Sequence, residues 1–310
     1  MSTEHATETA RPSLVAPRPG AAATRAAEGS RSGHVPAWFR FFWSEIRLVF
    51  GRPRNLALLG VLAIVPVFFG IVFRLTISPG NEPGAGGPAF LNQLAGNGVF
   101  LALVVMFLTL SLLMLPLAVA VVAGDAIAGE QSLGTLRGLL TVPAGRTRLL
   151  MVKYAVIAVF SLVACLLVTA VALIMGLILF HAGPVTTLSG TTMSLGSGIV
   201  RVLLVALYCA VALSALGAIG LAASSLTQHP VGAIASILVV TVTSEICDQV
   251  PQLSAIHPFL PTHFWLAWDG LFRSPVEWHG MSHGIESFVA YAVIFGAIAW
   301  AKFTAADITS

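Results

Sequence analysis

A chain of 310 residues in which 57% are hydrophobic and only 9% charged, with mean hydropathy +0.91 and a formal charge of +3, cannot clothe a water-facing globule. Soluble domains carry roughly 25% charged residues to solvate their surfaces. The apolar surface must instead meet lipid, where each segment satisfies its own backbone as a helix. The expected fold class is therefore an all-α integral membrane protein. The small positive excess suits anionic lipid and implies no nucleic acid.

In chain order, residues 1–35 are polar, small and interrupted by Pro and Gly, with no apolar stretch of the kind a secretory leader needs. They are expected to form a disordered tail, leaving residues 36–310 as the membrane domain. PAWFRFFWSEIRLVFGRPR follows. On a helix Arg40, Ser44 and Arg47 form a narrow polar stripe, and Trp38, Phe41, Phe42, Ile46 and Val49 cover the rest. Such a helix lies in the membrane interface and ends at Gly51–Pro53.

Six apolar runs are candidate transmembrane helices, each near the roughly 20 residues a bilayer requires. They are Leu56–Phe73, Val99–Ala123, Tyr154–Phe180, Val202–Leu226, Val231–Val250 and Ile285–Phe303. Pro66 and Pro116 are expected to kink the first and second. Between the spans, Ser78–Gly98 and His181–Gly198 read as flexible loops. Pro251–Gly284 stays partly apolar, carries Trp265, Trp268 and Trp278 as interfacial anchors, and is suited to short helices dipping back into the membrane. All but Arg74, Arg201 and Arg273 of the 16 lysines and arginines then fall on the side holding both termini. By the positive-inside rule that side is the cytoplasm, and the expected location is the cell membrane.

Several chemistries are excluded or weak. There is no GxxxxGK[ST], and neither lysine, Lys153 or Lys302, follows a glycine-rich loop. TLSGTT at Thr187–Thr192 resembles an ATP-cassette signature but falls in an outward loop. Cys165, Cys209 and Cys247 all lie in apolar runs, without metal-ligand spacing. His257, His263, His279 and His283 gather in the last outward loop. Gly280 and Gly284 argue against a helix pairing His279 with His283, so no metal site is expected there. Glu245 and Asp248 share one face near the outward end of the fifth span. Charge there is costly unless wetted or paired. They are candidates for an outer vestibule, or for headgroup-level residues neutralised by Arg74 or Arg201.

The remaining charged, helix-prone stretch is GDAIAGEQSLGTLRGLLTVPAGRTRLLMVK, residues 124–153, between the second and third spans. Asp125 and Glu130 suit a helix start. Leu133, Leu136, Leu139 and Leu140 make an apolar stripe, and Pro143 and Gly145 stop the helix. Asp125, the GE pair Gly129–Glu130, GTLRGLL at Gly134–Leu140, Pro143–Arg146 and Lys153 together resemble the cytoplasmic segment of type 2 ABC exporter permeases. Arg137 departs from that pattern, which often has Glu there, so the sign of one docking contact is reversed.

The resemblance implies a transmembrane permease domain of six helices, with an N-terminal interfacial helix and a cytoplasmic coupling helix between spans two and three. It also implies ABC ATPase subunits as partners, which hold the ATP and Mg, and a second permease copy or paralogue in a bacterial membrane. No catalytic residue, cofactor or metal is expected in this chain. The coupling residues carried over are Asp125, Glu130, Gly134, Thr135, Leu136, Arg137, Leu140, Pro143 and Arg146. The cargo implied is a small lipophilic or drug-like molecule, or a lipid, moved outward. Two rival classes are a membrane-embedded lipid-modifying enzyme using the outward histidines and Asp269, and a structural or sensory membrane protein without cargo.

Overall fold

A computed structural model describes residues 37–76, 97–132, 145–180, 182–187 and 189–305. The chain divides into two units, 1–41 and 42–310. Among the described residues the first holds only the opening residues of helix α1 (Ala37–Gly51). Everything below concerns the second unit, an all-α membrane domain with six helices long and apolar enough to cross a bilayer.

The separate helix expected before the first span is present. α1 stops at Gly51, Arg52 bends the chain, and α2 (Pro53–Thr76) starts on a proline. Proline suits that position because its fixed φ is helical and its missing N–H would have had no partner there. Asn55 stitches the elbow by donating from Nδ2 to the Val49 carbonyl at 2.9 Å, capping the end of α1. Ser44 and Arg47 are exposed as the stripe requires, and Arg47 lies over the Trp43 ring at 5.6 Å. α2 runs through Pro66 without interruption.

The second span differs from the single helix expected. It consists of α3 (Phe100–Ser111) and α4 (Met114–Ser132), broken at Leu112–Leu113, where Leu113 takes a left-handed φ of 59°. The physical reason is Pro116. In an unbroken helix its ring would clash with the preceding turn. The break instead puts it in the first turn of α4, where no N–H is required. Leu112 and Met114 are exposed at the break.

The third span is α5 (Arg146–Leu179), whose 34 residues reach roughly 50 Å, beyond the hydrocarbon core at one or both ends. A turn of chain then forms a short antiparallel pair, β1 (Val185–Thr186) with β2 (Thr192–Met193), where a flexible loop was expected. Ser194 caps the next helix by accepting from the Ser197 N–H.

That helix, α6 (Leu195–Leu226), is the centre of the domain and packs on α4, α5, α7 (Pro230–Asp248) and α8 (His279–Ala305). Small residues allow the approach, as is usual where lipid supplies no hydrophobic drive between helices. A Cβ on Gly220 of α6, for example, would lie 2.6 Å from the Cβ of Ala123 on α4.

Beyond α7 the chain makes three 3-10 turns, Pro251–Leu253, His257–Phe259 and Ala267–Phe272, before α8 (His279–Ala305). Short helical pieces were expected here, but the tryptophans behave differently from interfacial anchors. Trp265 and Trp268 are buried at 3% and 1% exposure, with Phe272 beside Phe100, and only Trp278 is exposed.

α8 also begins earlier than Ile285. Gly284 does not break it. A Cβ there would collide with the Tyr208 hydroxyl, which donates to the Phe264 carbonyl at 2.6 Å. The glycine is thus spent on a close approach of α8 to α6 inside an otherwise regular helix. At the opposite end of α8, the Trp300 indole donates to Thr147 at the start of α5 (2.9 Å).

Candidate functional site

One end of the bundle concentrates charge, much of it buried. α1 contributes Glu45, the elbow Arg52, the start of α2 Arg54, the last two turns of α4 Asp125 and Glu130, and the start of α5 Lys153. Lys153 Nζ lies 2.5 Å from Glu130 Oε1 and 3.6 Å from Glu45 Oε2. All three residues are under 9% exposed. Asp125 Oδ2 pairs with Arg52 and, at 2.9 Å, with Arg54. The three cations and three anions balance, and all of them but Arg54 line one narrow cleft with Asn55.

Burying a charge costs several kcal/mol per ion, recovered only through close partners. Lys153 therefore has no low-energy alternative to the two carboxylates, and the four elements are held as one body. Next to this collar α4 is fastened to α6. The Ser224 hydroxyl donates to the Gly124 carbonyl at 2.7 Å and accepts from the N–H groups of Ile127 (3.1 Å) and Ala128 (2.9 Å). A side chain of α6 thereby enters the hydrogen-bond ladder of α4.

The sequence reading placed Asp125 through Leu140 in a helix of its own, facing water. Through Ser132 that stretch is the end of α4, because its apolar residues Ile127 and Ala128 are buried in the bundle. Glu130 is turned inward onto Lys153 instead of outward. Gly134, Thr135, Leu136, Arg137, Leu140 and Pro143 lie outside the described residues. Arg146 opens α5. The structure thus brings Asp125 and Glu130 together with four residues that the sequence did not select for this role: Glu45, Arg52, Arg54 and Lys153. Lys153 was legible as part of the motif, but not as the partner of buried carboxylates. Its partners are 23 and 108 positions away, so no local spacing could reveal them.

Glu245 and Asp248 lie at the other end of the bundle, near the C-terminus of α7. Neither arginine suggested for them is a described partner of Asp248. Arg201 donates to the Leu271 carbonyl at 2.5 Å. Asp248 instead meets His263 Nδ1 at 2.5 Å and His257 Nδ1 at 3.9 Å.

Long apolar helices around an ionic collar define a polytopic membrane protein, with no nucleophile–base arrangement in the collar. Residues 54–243, more than half of the chain, match the family model described as ABC-2 family transporter protein, and the chain belongs to that family. Among proteins of curated function none matches it. The chain is accordingly a membrane subunit of an ABC transporter.

Proposed function

We propose that this subunit is the permease of an exporter whose ATP is hydrolysed on separate ABC ATPase chains. In this reading it moves a small lipophilic or drug-like molecule, or a lipid, out of a bacterial cell, with both termini cytoplasmic. The observation that carries the reading is the collar. Its six charged residues join α1, α2, α4 and α5 at the end from which residues 133–145 connect α4 to α5. A force applied to that connection by an ATPase is delivered to four elements at once, because rigid packed elements respond to load by moving as bodies. Gly134, Thr135, Leu136, Arg137, Leu140, Pro143 and Arg146 form the contact with the ATPase. Asp125 and Glu130 act one layer deeper, transmitting rather than touching.

The break at Leu112–Leu113 supports pairing with a second permease. Irregular backbone at membrane depth is tolerated against protein or a wet cavity, and lipid supplies neither hydrogen-bond donors nor acceptors. The exposed side of the break at Leu112 and Met114 is therefore the side that meets another copy or paralogue across the transport path.

The test is affinity purification of the full chain from its native membrane, with a photo-crosslinker at Leu136 or Leu140. An ABC ATPase should co-purify, hydrolyse ATP in the complex and crosslink at those positions. Absence of any such ATPase, or crosslinks that never reach it, overturns the reading.

A further inference from the structure

We propose that Asp248, His257 and His263 form a binding site for a divalent first-row transition cation of the zinc type, at the end of the bundle opposite Lys153. The three residues each offer one ligand atom, and those atoms all lie within 4.8 Å of one another. Among the described residues they are the one trio of His, Cys, Asp or Glu so arranged. Two imidazoles and a carboxylate are donors for zinc, copper, nickel or ferrous iron, whereas calcium and magnesium favour oxygen alone.

The hydrogen bonding around His257 sets its ligand atom for metal. His257 Nε2 lies 3.2 Å from the Val250 carbonyl, which can only accept. Nε2 therefore carries the hydrogen, and Nδ1 turns toward Asp248 Oδ1 at 3.9 Å. In the neutral ring that atom is a lone pair facing a carboxylate, an arrangement a cation between them makes favourable. A backbone carbonyl fixing the far nitrogen is also the usual support of a metal-bound histidine.

Tetrahedral zinc with bonds of about 2.0–2.1 Å separates its ligand atoms by roughly 3.3 Å. The two observed separations from Asp248 Oδ1, 2.5 Å to His263 and 3.9 Å to His257, bracket that value. Small side-chain rotations suffice. A fourth position is left for water, since the three side chains are 17–30% exposed.

The segment carrying the histidines is independently anchored. Ser244 Oγ and Thr262 Oγ1 are 2.6 Å apart, and the Thr262 N–H donates to Ser244 Oγ at 3.3 Å. Tyr291 of α8 donates to the Phe259 carbonyl. A bound cation would clamp the 3-10 segment to the end of α7. His279 and His283 are a different case: they pack edge to face at 4.5 Å and belong to no such trio. The inference stands apart from the transport reading, since it requires neither an ATPase nor a cargo.

The experiment uses the full chain in detergent, with its affinity tag removed and after chelator treatment. Zinc retained after desalting is counted, and cobalt is titrated as an optical probe. The intact protein should retain about one zinc per chain and give a tetrahedral cobalt spectrum. His257→Ala and His263→Ala should each weaken zinc binding by at least about tenfold, while His279→Ala and His283→Ala bind as the parent does. Zinc should raise the melting temperature of the parent and leave that of the H257A/H263A double variant unchanged. If the parent shows neither retained zinc nor a cobalt spectrum, or the double variant binds zinc as well as the parent, the proposal is wrong.

Discussion

The two ends of this bundle are closed by opposite means. At the Lys153 end, helices are joined by charges hidden from water, each needing a partner on another element. At the Asp248 end, they are joined by apolar bulk and by side chains reaching backbone carbonyls: Trp268 and Phe272 are buried, Tyr208 holds Phe264, and Arg201 holds Leu271. Apolar burial is non-directional and forgives small shifts. A buried ion pair is unforgiving, because separating it strands a charge. The first end is built to move as a unit or not at all, and the second tolerates small adjustments of its packing.

Substitutions can break or sharpen that contrast. The largest effect is expected at Lys153→Met, which removes the cation that joins Glu130 to Glu45. Stability should fall by about 3–5 kcal/mol in a denaturant titration of the detergent-solubilised chain. Adding Glu130→Gln should recover a substantial part, and failure to do so would mean that the lysine acts through packing alone.

A smaller loss belongs to Tyr208→Phe at the other end. Removing the hydroxyl leaves the Phe264 carbonyl without its donor, at a cost of about 1–2 kcal/mol seen as a lower melting temperature. Smallest of all is Arg273→Ala. Its pairs with Asp269 and Glu277 are half exposed, and stability should stay within about 0.5 kcal/mol of the parent.

What the sequence disclosed follows the same divide. The elbow was legible because Gly51, Arg52 and Pro53 announce a stop and a start in adjacent positions. Five of the six spans were legible as uninterrupted helices because apolar run length is a local property. The break in the second span was not placed. LALVVMFLTLSLLMLPLAV carries no charge, and Pro116 marks the neighbourhood of the discontinuity but not Leu113 itself. Glu45 was hidden for a related reason. An amphipathic reading ranks faces by polarity, and it cannot know that a lysine from α5 will meet the glutamate on the apolar side. The trio of Asp248, His257 and His263 depends on two 3-10 turns folding back over α7, a geometry that residue spacing does not encode.

The hydroxyl of Ser224 gives the collar its reach. Because it sits inside the ladder of α4 like a key in a slot, α4 cannot rotate or slip along α6 without tearing three hydrogen bonds. Any torque arriving at the end of α4 is shared at once with the most enclosed helix of the domain. From there it passes outward to α8, while α7 takes it from α4 directly, where Ile234 lies against Gly124.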